Sequence, residues 1–350
     1  MNQKYLKIWF DVLTPKQVLF FEPMIKRLRK KHRVICTSRQ YREVNQLAKM
    51  RKMNLIFVGR HGGSERSKKL KASLDRMNKL IKIIKKFSPD VAVSFCSPEA
   101  TRISFGLGIK HIAFCDSPHA EAVMKISIPL VDRLLIPWII SKNEFSKYGI
   151  SAKKITSYKA IDASVIIKNK SNNSTLKKFK DMKKKTILIR PYESQASYAN
   201  YKETSMISII QQISKLSNYN VLLLARNFEQ IKKLKTKFGK KIRVLNKVVD
   251  NNEILSLTDV FVGSGGTMTA EAALRGIPTI SYNAVPNIVE DYLVKKYLIK
   301  REENPQKIVP LIEKLLKSNK NKYKKNAKTE LSRMEDPYFK LIHAIKSITE

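Results

Sequence analysis

Residues 259–278 read Asp-Val-Phe-Val-Gly-Ser-Gly-Gly-Thr-Met-Thr-Ala-Glu-Ala-Ala-Leu-Arg-Gly-Ile-Pro. The pattern predicts a buried strand over Asp259–Val262, a glycine turn over Gly263–Gly266 and a short helix over Thr267–Arg275. Gly276 ends this helix, and Pro278 opens a second strand. A strand, a tight turn, a helix and another strand in this order are typical of a parallel sheet covered by helices.

The glycine turn is also a candidate ligand site. Glycine adopts positive φ and lets a ligand approach the backbone closely, and the start of a helix offers free N–H groups to a phosphate. Ser264 and Thr267 add hydroxyls, and Glu271 follows Thr267 by one turn on the same face, where a carboxylate suits a ribose diol. The alternative is a ligand-free connection in which Glu271 only favours the positive end of its helix.

Strand-like and helical segments alternate on both sides of this stretch. The alternation pauses at Asp162–Ser174, a polar segment that we interpret as a linker, and then restarts. This pattern predicts an α/β protein of two doubly wound, Rossmann-like domains with an interdomain cleft. We place the domains at residues 1–165 and 166–330, and expect residues 331–350 to form a C-terminal helix that packs back on the first domain.

The composition is strongly basic. The 350 residues include 69 Lys and Arg against 29 Asp and Glu, which gives a net charge of +40. Such a charge predicts attraction to nucleic acid, anionic lipid or phosphorylated molecules. The alternative is a compositional bias that places lysines on solvated surfaces. The apolar fraction of 43% is enough for two ordinary cores.

Several classes of protein are disfavoured by the sequence. Cys36, Cys96 and Cys115 stand apart in or beside apolar segments, as buried thiols do, so we expect no zinc or other metal site and a reducing cytoplasm. The sequence contains no signal peptide, no span of about 18 apolar residues and no P-loop. We therefore expect a cytoplasmic protein without a cofactor. Its positive charge favours peripheral association with the inner face of the membrane.

The glycine-turn motif resembles the two-domain glycosyltransferase fold known as GT-B, which includes the non-hydrolysing UDP-N-acetylglucosamine 2-epimerase. That fold carries a Gly-Gly turn, then Ser or Thr, then Glu-Ala, then Gly-x-Pro. The matching residues here are Gly265, Gly266, Thr267, Glu271, Ala272, Gly276 and Pro278. The resemblance implies that the turn binds a diphosphate and that Glu271 binds the ribose hydroxyls.

The sequence also resembles a largely archaeal domain-of-unknown-function family, number 354, over about residues 5 to 300. The shared motifs include Trp9-Phe-Asp11, Phe20-Phe-Glu-Pro23, Gly59-Arg-His-Gly-Gly63, Asp116-Ser-Pro-His119, Arg190-Pro191, Arg226-Asn227 and Ser264-Gly-Gly-Thr-Met268. In one place the chain departs from the family. The family has Asn-x-Pro-His after the first strand, whereas Gln17 takes the histidine position here, and Gln is not a general base.

Residues that follow the predicted strands are the candidates for chemistry, because ligands on such sheets bind at the carboxyl ends of the strands. In the first domain, His119 is the predicted general base, oriented by Asp116, although both also suit a helix start. Asp11 is a third catalytic candidate. Other candidates for the cleft are Arg60, His61, Gly62, Gly63, Glu99 and Gln17.

In the second domain, Arg190 and Arg226 end neighbouring strands, where two guanidinium groups form a diphosphate clamp. Together with Ser264, Gly265, Gly266, Thr267 and Glu271 they predict a site for a UDP-like donor. The first interpretation of the function is therefore an inverting, metal-independent glycosyltransferase that acts on a nucleotide sugar. Its acceptor is unknown, with a polyprenyl phosphate or another anionic molecule as a candidate.

Two other interpretations remain open at this stage. One is a UDP-sugar 2-epimerase, for which Asp11, Glu99 and Asp116 would supply acid and base groups. The other is a basic protein that binds nucleic acid or an anionic membrane surface on a catalytically inactive scaffold.

Overall fold

The computed structural model describes residues 5–63, 65–169, 184–191, 203–225, 228–239, 241–246, 248–282 and 287–350. The chain divides into two compact units. The first comprises residues 1–169 together with 335–350, and the second comprises residues 170–334.

The first unit is built on a parallel sheet that contains seven strands among the described residues. The strands are β1 (Lys7–Asp11), β2 (Arg33–Gln40), β3 (Ile56–Arg60), β4 (Val91–Ser94), β5 (Lys110–Phe114), β6 (Arg133–Pro137) and β7 (Ile155–Tyr158). The helices are α1 (Pro15–Leu28), α2 (Arg42–Met50), α3 (Arg66–Phe87), α4 (Pro98–Gly106), α5 (Glu121–Ser127), α6 (Asn143–Ser146) and α7 (Asp162–Lys168), with 3-10 turns at Ile128–Leu130 and Ala152–Lys154. The strand order is β3-β2-β1-β4-β5-β6-β7.

The second unit repeats this plan with a sheet of six described strands in the order β10-β9-β8-β11-β12-β13. The strands are β8 (Thr186–Arg190), β9 (Asn220–Leu224), β10 (Arg243–Leu245), β11 (Val260–Gly263), β12 (Thr279–Ser281) and β13 (Ile299–Arg301). The helices are α8 (Glu203–Ile213), α9 (Phe228–Phe238), α10 (Asn251–Ser256), α11 (Thr267–Leu274), α12 (Ile288–Lys295), α13 (Pro305–Lys317) and α14 (Lys320–Ser332). A last helix, α15 (Tyr338–Thr349), belongs to the first unit.

The sheets form because their strands are apolar on both faces, as buried parallel strands are. In the second unit, Leu188, Leu222 and Phe261 pack on one face of the sheet. Ile187 and Val260 pack on the other face against α8 and α13. Both units are therefore parallel α/β domains, as the alternation in the sequence predicts.

The predicted linker at Asp162–Ser174 is wrong over its first part. Asp162–Lys168 forms α7, in which Asp162, Val165 and Ile166 are buried. The polarity of the whole segment concealed these inward-facing side chains. Asp162, which the linker prediction placed in solvent, is buried and pairs with Lys16 in a cluster of charged side chains.

In both sheets the strand order reverses beside the first strand of the unit. In the first unit, β1 lies between β2 and β4, and in the second unit β8 lies between β9 and β11. At such a point the connections leave in opposite directions and open a crevice at the carboxyl ends of the strands. Among the described residues, the candidates Asp11, Asp116, Arg190 and Ser264 lie at or just after the carboxyl ends of strands in these two sheets.

Candidate functional site

The glycine turn of the second unit joins β11 to α11 and leaves the start of the helix open. Gly265 and Gly266 have φ of 75° and 82°, which side chains rarely adopt. Gly266 is the N-cap of α11, and no side chain caps this end. A Cβ on Gly266 would meet no atom within 4 Å, so the space in front of the turn is empty. The first N–H groups of α11 therefore face an approachable site.

A pocket lies at the end of β8 and β11, where the strand order of the second unit reverses. Its cavity is small, about 20 Å³, and is lined by Ile189, Arg190, Pro191, Met206, Ile209, Ile210, Val262, Gly263, Ser264 and Tyr282. The hydroxyl oxygen of Ser264 is buried and has no hydrogen-bond partner among the described residues. A buried hydroxyl without a partner is costly, so this atom is ready to bind a ligand.

Arg190 ends β8 at the same edge. Its Nη1 donates to the carbonyl oxygens of Leu224 and Ala225, both at 3.0 Å. These bonds direct the guanidinium along the carboxyl ends of β8 and β9. Arg226, the second arginine of the predicted clamp, lies outside the described residues.

Glu271 lies inside the second unit rather than on its surface. Its side chain is 1% exposed, and Oε1 accepts a hydrogen bond of 2.9 Å from Nδ2 of Asn251. Oε2 is buried and has no partner among the described residues. Burial raises the pKa of Glu271 to about 7, against the hydrogen bond from Asn251 and the charges of Arg275 and Arg190.

Asn251 was missed by the sequence analysis. It opens α10, and only the tertiary structure brings it to Glu271. Asp250-Asn-Asn252 follows β10, which β9 and β8 separate from β11 in the sheet order, so no local pattern in the sequence indicated this contact. Asn251 occupies one oxygen of Glu271 and leaves the other oxygen for a ligand.

In the first unit, Asp11 ends β1 and is completely buried. It accepts hydrogen bonds from Arg76 Nη2 at 2.5 Å and Nη1 at 3.1 Å, from Ser97 Oγ at 2.6 Å and from Thr37 Oγ1 at 2.6 Å. Burial alone would raise the pKa of Asp11, but Arg76 and these hydrogen bonds lower it. The geometry does not support the prediction that Asp11 is catalytic, because both oxygens are engaged in joining β1, β2, α3 and α4.

Glu99 and Gln17 are also engaged in local structure. Glu99 lies in the first turn of α4, with Oε2 3.7 Å from Nη1 of Arg76. Gln17 is buried in α1, and its Oε1 accepts a hydrogen bond of 2.6 Å from the backbone N–H of Leu13. This bond closes the turn after β1, so the residue at the family's histidine position supports the backbone here.

Asp116 follows β5 and lies in a partly buried cluster with Lys16 and Asp162, in which Asp162 is the most buried member. Nζ of Lys16 is 2.8 Å from Oδ1 of Asp116 and 2.8 Å from Oδ2 of Asp162, and it lies 4.1 Å from the centre of the Phe95 ring. The hydroxyl of Tyr158 donates to Oδ1 of Asp162 at 3.0 Å. The cluster joins residues that follow β1, β5 and β7.

The two carboxyl groups of this cluster differ in acidity. Burial, and then the charge of Asp116, raise the pKa of Asp162 to about 7, against the attraction of Lys16. Burial also acts to raise the pKa of Asp116, but Lys16 and a hydrogen bond with Asp162 lower it. Near neutral pH the pair therefore shares one proton, which Asp162 carries more readily.

His119 lies at the surface, three residues beyond Asp116. Partial burial of its ring lowers its pKa, Asp116 opposes this change, and Lys16 adds to it. The imidazole is neutral near pH 7, as a general base must be.

Sequence reasoning missed Lys16, Asp162 and Tyr158, although Asp162 follows the end of β7 as Asp116 follows the end of β5.

The loop after β3 begins at His61, because Arg60 is still part of the strand. The backbone N–H of His61 donates to the carbonyl of Gln40 at 3.2 Å, and its Nδ1 accepts from the N–H of Gly63 at 3.0 Å. A Cβ on Gly62 would lie 2.6 Å from Cα of Lys69, so the loop packs directly on the first turn of α3.

Within the part of the chain that the structure describes, no group of three or more His, Cys, Asp or Glu side chains is arranged to hold a metal ion. Within the same residues, no helix is both long and apolar enough to cross a bilayer.

Two parallel α/β domains, each with polar residues at the strand ends where the order reverses, define the GT-B class of fold. The chain belongs to the family described as "Protein of unknown function (DUF354)", whose model matches residues 6–347. A relative is the uncharacterized protein MJ0665 of Methanocaldococcus jannaschii, which is 27% identical over 319 residues and covers 88% of this chain and 91% of its own.

Solved structures of the same fold include both epimerases and transferases. A putative UDP-N-acetylglucosamine 2-epimerase from Listeria monocytogenes matches with a TM-score of 0.77 at 14% identity, over 99% of this chain and 97% of its own. UDP-GlcNAc 2-epimerase from Neisseria meningitidis, bound to UDP-GlcNAc, matches with a TM-score of 0.72 at 16% identity, over 98% of each chain. Spinosyn rhamnosyltransferase SpnG complexed with thymidine diphosphate has a TM-score of 0.63 at 13% identity, over 97% of this chain and 100% of its own.

Proposed function

We propose that the protein is a nucleotide-sugar enzyme, and specifically an inverting glycosyltransferase that needs no metal ion. The observation that carries the proposal is the open glycine turn of the second unit, beside the pocket at the ends of β8 and β11 and the buried Glu271. Proteins of the same fold have structures with UDP-GlcNAc or thymidine diphosphate bound.

The second unit binds the donor in this proposal. The diphosphate of a UDP-like nucleotide accepts hydrogen bonds from the turn residues Ser264, Gly265, Gly266 and Thr267, and its charge is balanced by the partial positive charge at the start of α11. Arg190 lies on the same edge and adds a full positive charge, with Arg226 as its sequence-based partner. Glu271 uses its unpartnered Oε2 to accept a hydrogen bond from a ribose hydroxyl.

The first unit binds the acceptor and supplies the base. His119 takes the proton of the acceptor hydroxyl as that oxygen forms a bond to the anomeric carbon, and the bond from this carbon to the diphosphate oxygen breaks. Asp116 stabilises the imidazolium that results, since it is the nearby carboxylate with the lowered pKa. The departing diphosphate gains negative charge, which the amides of the turn and the arginines stabilise most strongly in the transition state.

Calorimetric titration of the protein with UDP, UDP-sugars and GDP-sugars tests the donor site. At least one UDP compound is expected to bind, and Glu271→Gln is expected to weaken this binding about tenfold or more, because a hydrogen bond to a charged group is lost. Glu303→Gln is the matched control, since Glu303 is exposed in the same unit. If none of the nucleotides binds, or if Glu271→Gln binds as wild type does, the proposal is wrong.

A UDP-sugar 2-epimerase is the second candidate, and the Lys16–Asp116–Asp162 cluster favours it. Epimerisation removes a proton from a sugar carbon and returns one to it, which two carboxyl groups that share a proton are suited to do. Incubation of UDP-GlcNAc with the protein in D₂O separates the two functions. Deuterium at C2 without an acceptor indicates an epimerase, whereas sugar transfer to an added acceptor without deuterium uptake indicates a transferase.

A further inference from the structure

A second group of cationic side chains lies at the carboxyl ends of β2 and β3, away from Asp116 and His119. Arg39 is the penultimate residue of β2 and is half-buried. Its Nε is buried and has no hydrogen-bond partner among the described residues. Burial lowers the pKa of Arg39, because water no longer stabilises its charge fully. A buried guanidinium nitrogen without an acceptor is rare in folded proteins and indicates a site for an absent partner.

His61 presents a hydrogen-bond donor at the same edge. Its ring packs against Tyr41, with the centroids 5.4 Å apart, and its Nδ1 accepts from Gly63. Burial, and then the charges of Arg39 and Lys69, lower the pKa of His61 to about 4. The ring is therefore neutral at pH 7, and a neutral imidazole that accepts at Nδ1 carries its hydrogen on Nε2.

The charges that face this place sum to a positive value. Arg39, Arg76 and Lys69 are the cations, and Asp11 and Glu99 are the carboxylates that act on Arg39. Both carboxylates lie within ion-pair distance of Arg76, and Asp11 also accepts from Ser97 and Thr37. Both carboxylates near Arg39 are thus already engaged with Arg76, and the positive charges of Arg39 and Lys69 remain to be balanced.

We propose that Arg39, His61 and Lys69 form a subsite for the phosphoryl group of the acceptor molecule. Gly62 allows the arrangement, because its lack of a Cβ lets the loop lie against Lys69. An acceptor with a phosphate would bring an anion to Nε of Arg39 and to Nε2 of His61, and would be balanced by Lys69. The subsite deepens the proposed function, on which the identity of its ligand as an acceptor rests.

Titration of the full-length protein with inorganic phosphate and pyrophosphate, followed by NMR of the histidine rings, tests the subsite. The His61 signals are expected to shift saturably, and the pKa of His61 is expected to rise from about 4, since a bound anion stabilises the imidazolium. Arg39→Gln and Lys69→Gln are expected to weaken phosphate binding about tenfold or more. Arg33→Gln is the control, because Arg33 is exposed at the opposite end of the same strand.

The outcomes separate this inference from the proposed function. Phosphate binding at His61 in wild type and in Glu271→Gln supports the subsite, even if UDP binds to neither protein and the proposed function fails. The inference is overturned, while the donor site stands, if UDP binds but phosphate and pyrophosphate leave His61 unchanged. It is also overturned if Lys69→Gln keeps its fold and binds phosphate as wild type does. A shift of His61 that requires UDP and disappears in Glu271→Gln would assign the anion to the donor and reject an acceptor subsite.

Discussion

At the scale of single residues, the main finding is that each unit places a few charged side chains in largely buried positions near the ends of its strands. Glu271 has one oxygen bonded to Asn251 and one without a partner among the described residues. Asp116 and Asp162 share the ammonium of Lys16. Buried groups of this kind cost folding free energy and are concentrated at functional sites, where their altered pKa values are used.

The pH dependence of stability tests the burial of Glu271. Its pKa rises from 4.5 to about 7 on folding, so its stabilising contribution is complete below about pH 4.5 and is lost as the pH rises through 7. Glu271→Gln removes this loss. Relative to wild type, the variant should gain about 3 kcal/mol in the free energy of unfolding between pH 5 and pH 8. Denaturant unfolding at the two pH values measures this gain, and an unchanged pH dependence would show that the carboxyl is not desolvated.

Removal of Lys16 tests the shared cluster. Lys16→Met leaves Asp116 and Asp162 together without a cation, which should cost about 3 kcal/mol or more near neutral pH. Without Lys16 the raised pKa of Asp162 rises further, and the pKa of Asp116 loses the main influence that lowers it, so the cost is small in acid and grows as the pH rises. Lys26→Met is the control, since Lys26 lies on the same helix with a side chain 62% exposed. Thermal unfolding at about pH 5 and about pH 8 measures the effect, and an equal loss at both would contradict the cluster.

At the scale of elements, the glycines at the two ends of α11, Gly266 and Gly276, have different structural roles. Gly266 has φ of 82° with empty space where a side chain would be, whereas Gly276 has φ of 71° and lies against the backbone of α14. The first glycine keeps the turn approachable, and the second allows two helices to pack closely. The sequence predicted both as the limits of the helix but did not distinguish these purposes.

Alanine at the two positions should separate binding from folding. Gly266→Ala should cost only about 1–3 kcal/mol of backbone strain, so that the unit folds while the displaced amides bind UDP more weakly. Gly276→Ala adds to this strain a Cβ 2.6 Å from Cα of Lys324, and should lower the melting temperature further. Calorimetry with UDP and thermal unfolding of both variants provide the measurements. The assignment of Gly266 to the ligand site is wrong if its alanine variant binds UDP normally.

At the scale of the whole molecule, the chain ends in the unit in which it began. Residues 335–350 belong to the first unit, where α15 contacts β5 and β6. Glu335 and Lys159 exchange two hydrogen bonds, and Arg27 pairs with Asp336 at 2.5 Å. The last helix is thus part of the core of a unit that begins more than 300 residues earlier in the chain.

Substitutions on the two faces of α15 test its place in the first unit. Leu341 is completely buried, so Leu341→Ala should lower the free energy of unfolding by about 2–5 kcal/mol. His343→Ala, on the exposed face of the same helix, should change it by about 0.5 kcal/mol or less. Thermal or denaturant unfolding measures both values. Equal effects of the two substitutions would show that α15 does not contribute to the core.

The net charge of +40 is also a property of the whole molecule. If the charge serves to hold an anionic acceptor or a lipid surface, the protein should sediment with vesicles of anionic phospholipid and be released as salt is raised, because the interaction is screened. Vesicles of neutral phospholipid are the control. Retention at high salt, or equal binding to neutral vesicles, would show that charge does not drive the association.

The sequence alone determined the class of fold and the position of the glycine turn between β11 and α11. Periodic apolar segments predict strands and helices because each element buries one face or stripe, and the positive φ of Gly265 and Gly266 is a local property of the backbone. Only the tertiary structure decided which charged groups meet. Lys16 and Asp162 are 146 residues apart in the chain, with Asp116 between them, and Asn251 and Glu271 are 20 residues apart. Their contacts depend on the order of strands in the sheet, which local pattern does not specify. For this reason the sequence analysis assigned Asp162 to a linker, whereas the structure buries it beside Lys16.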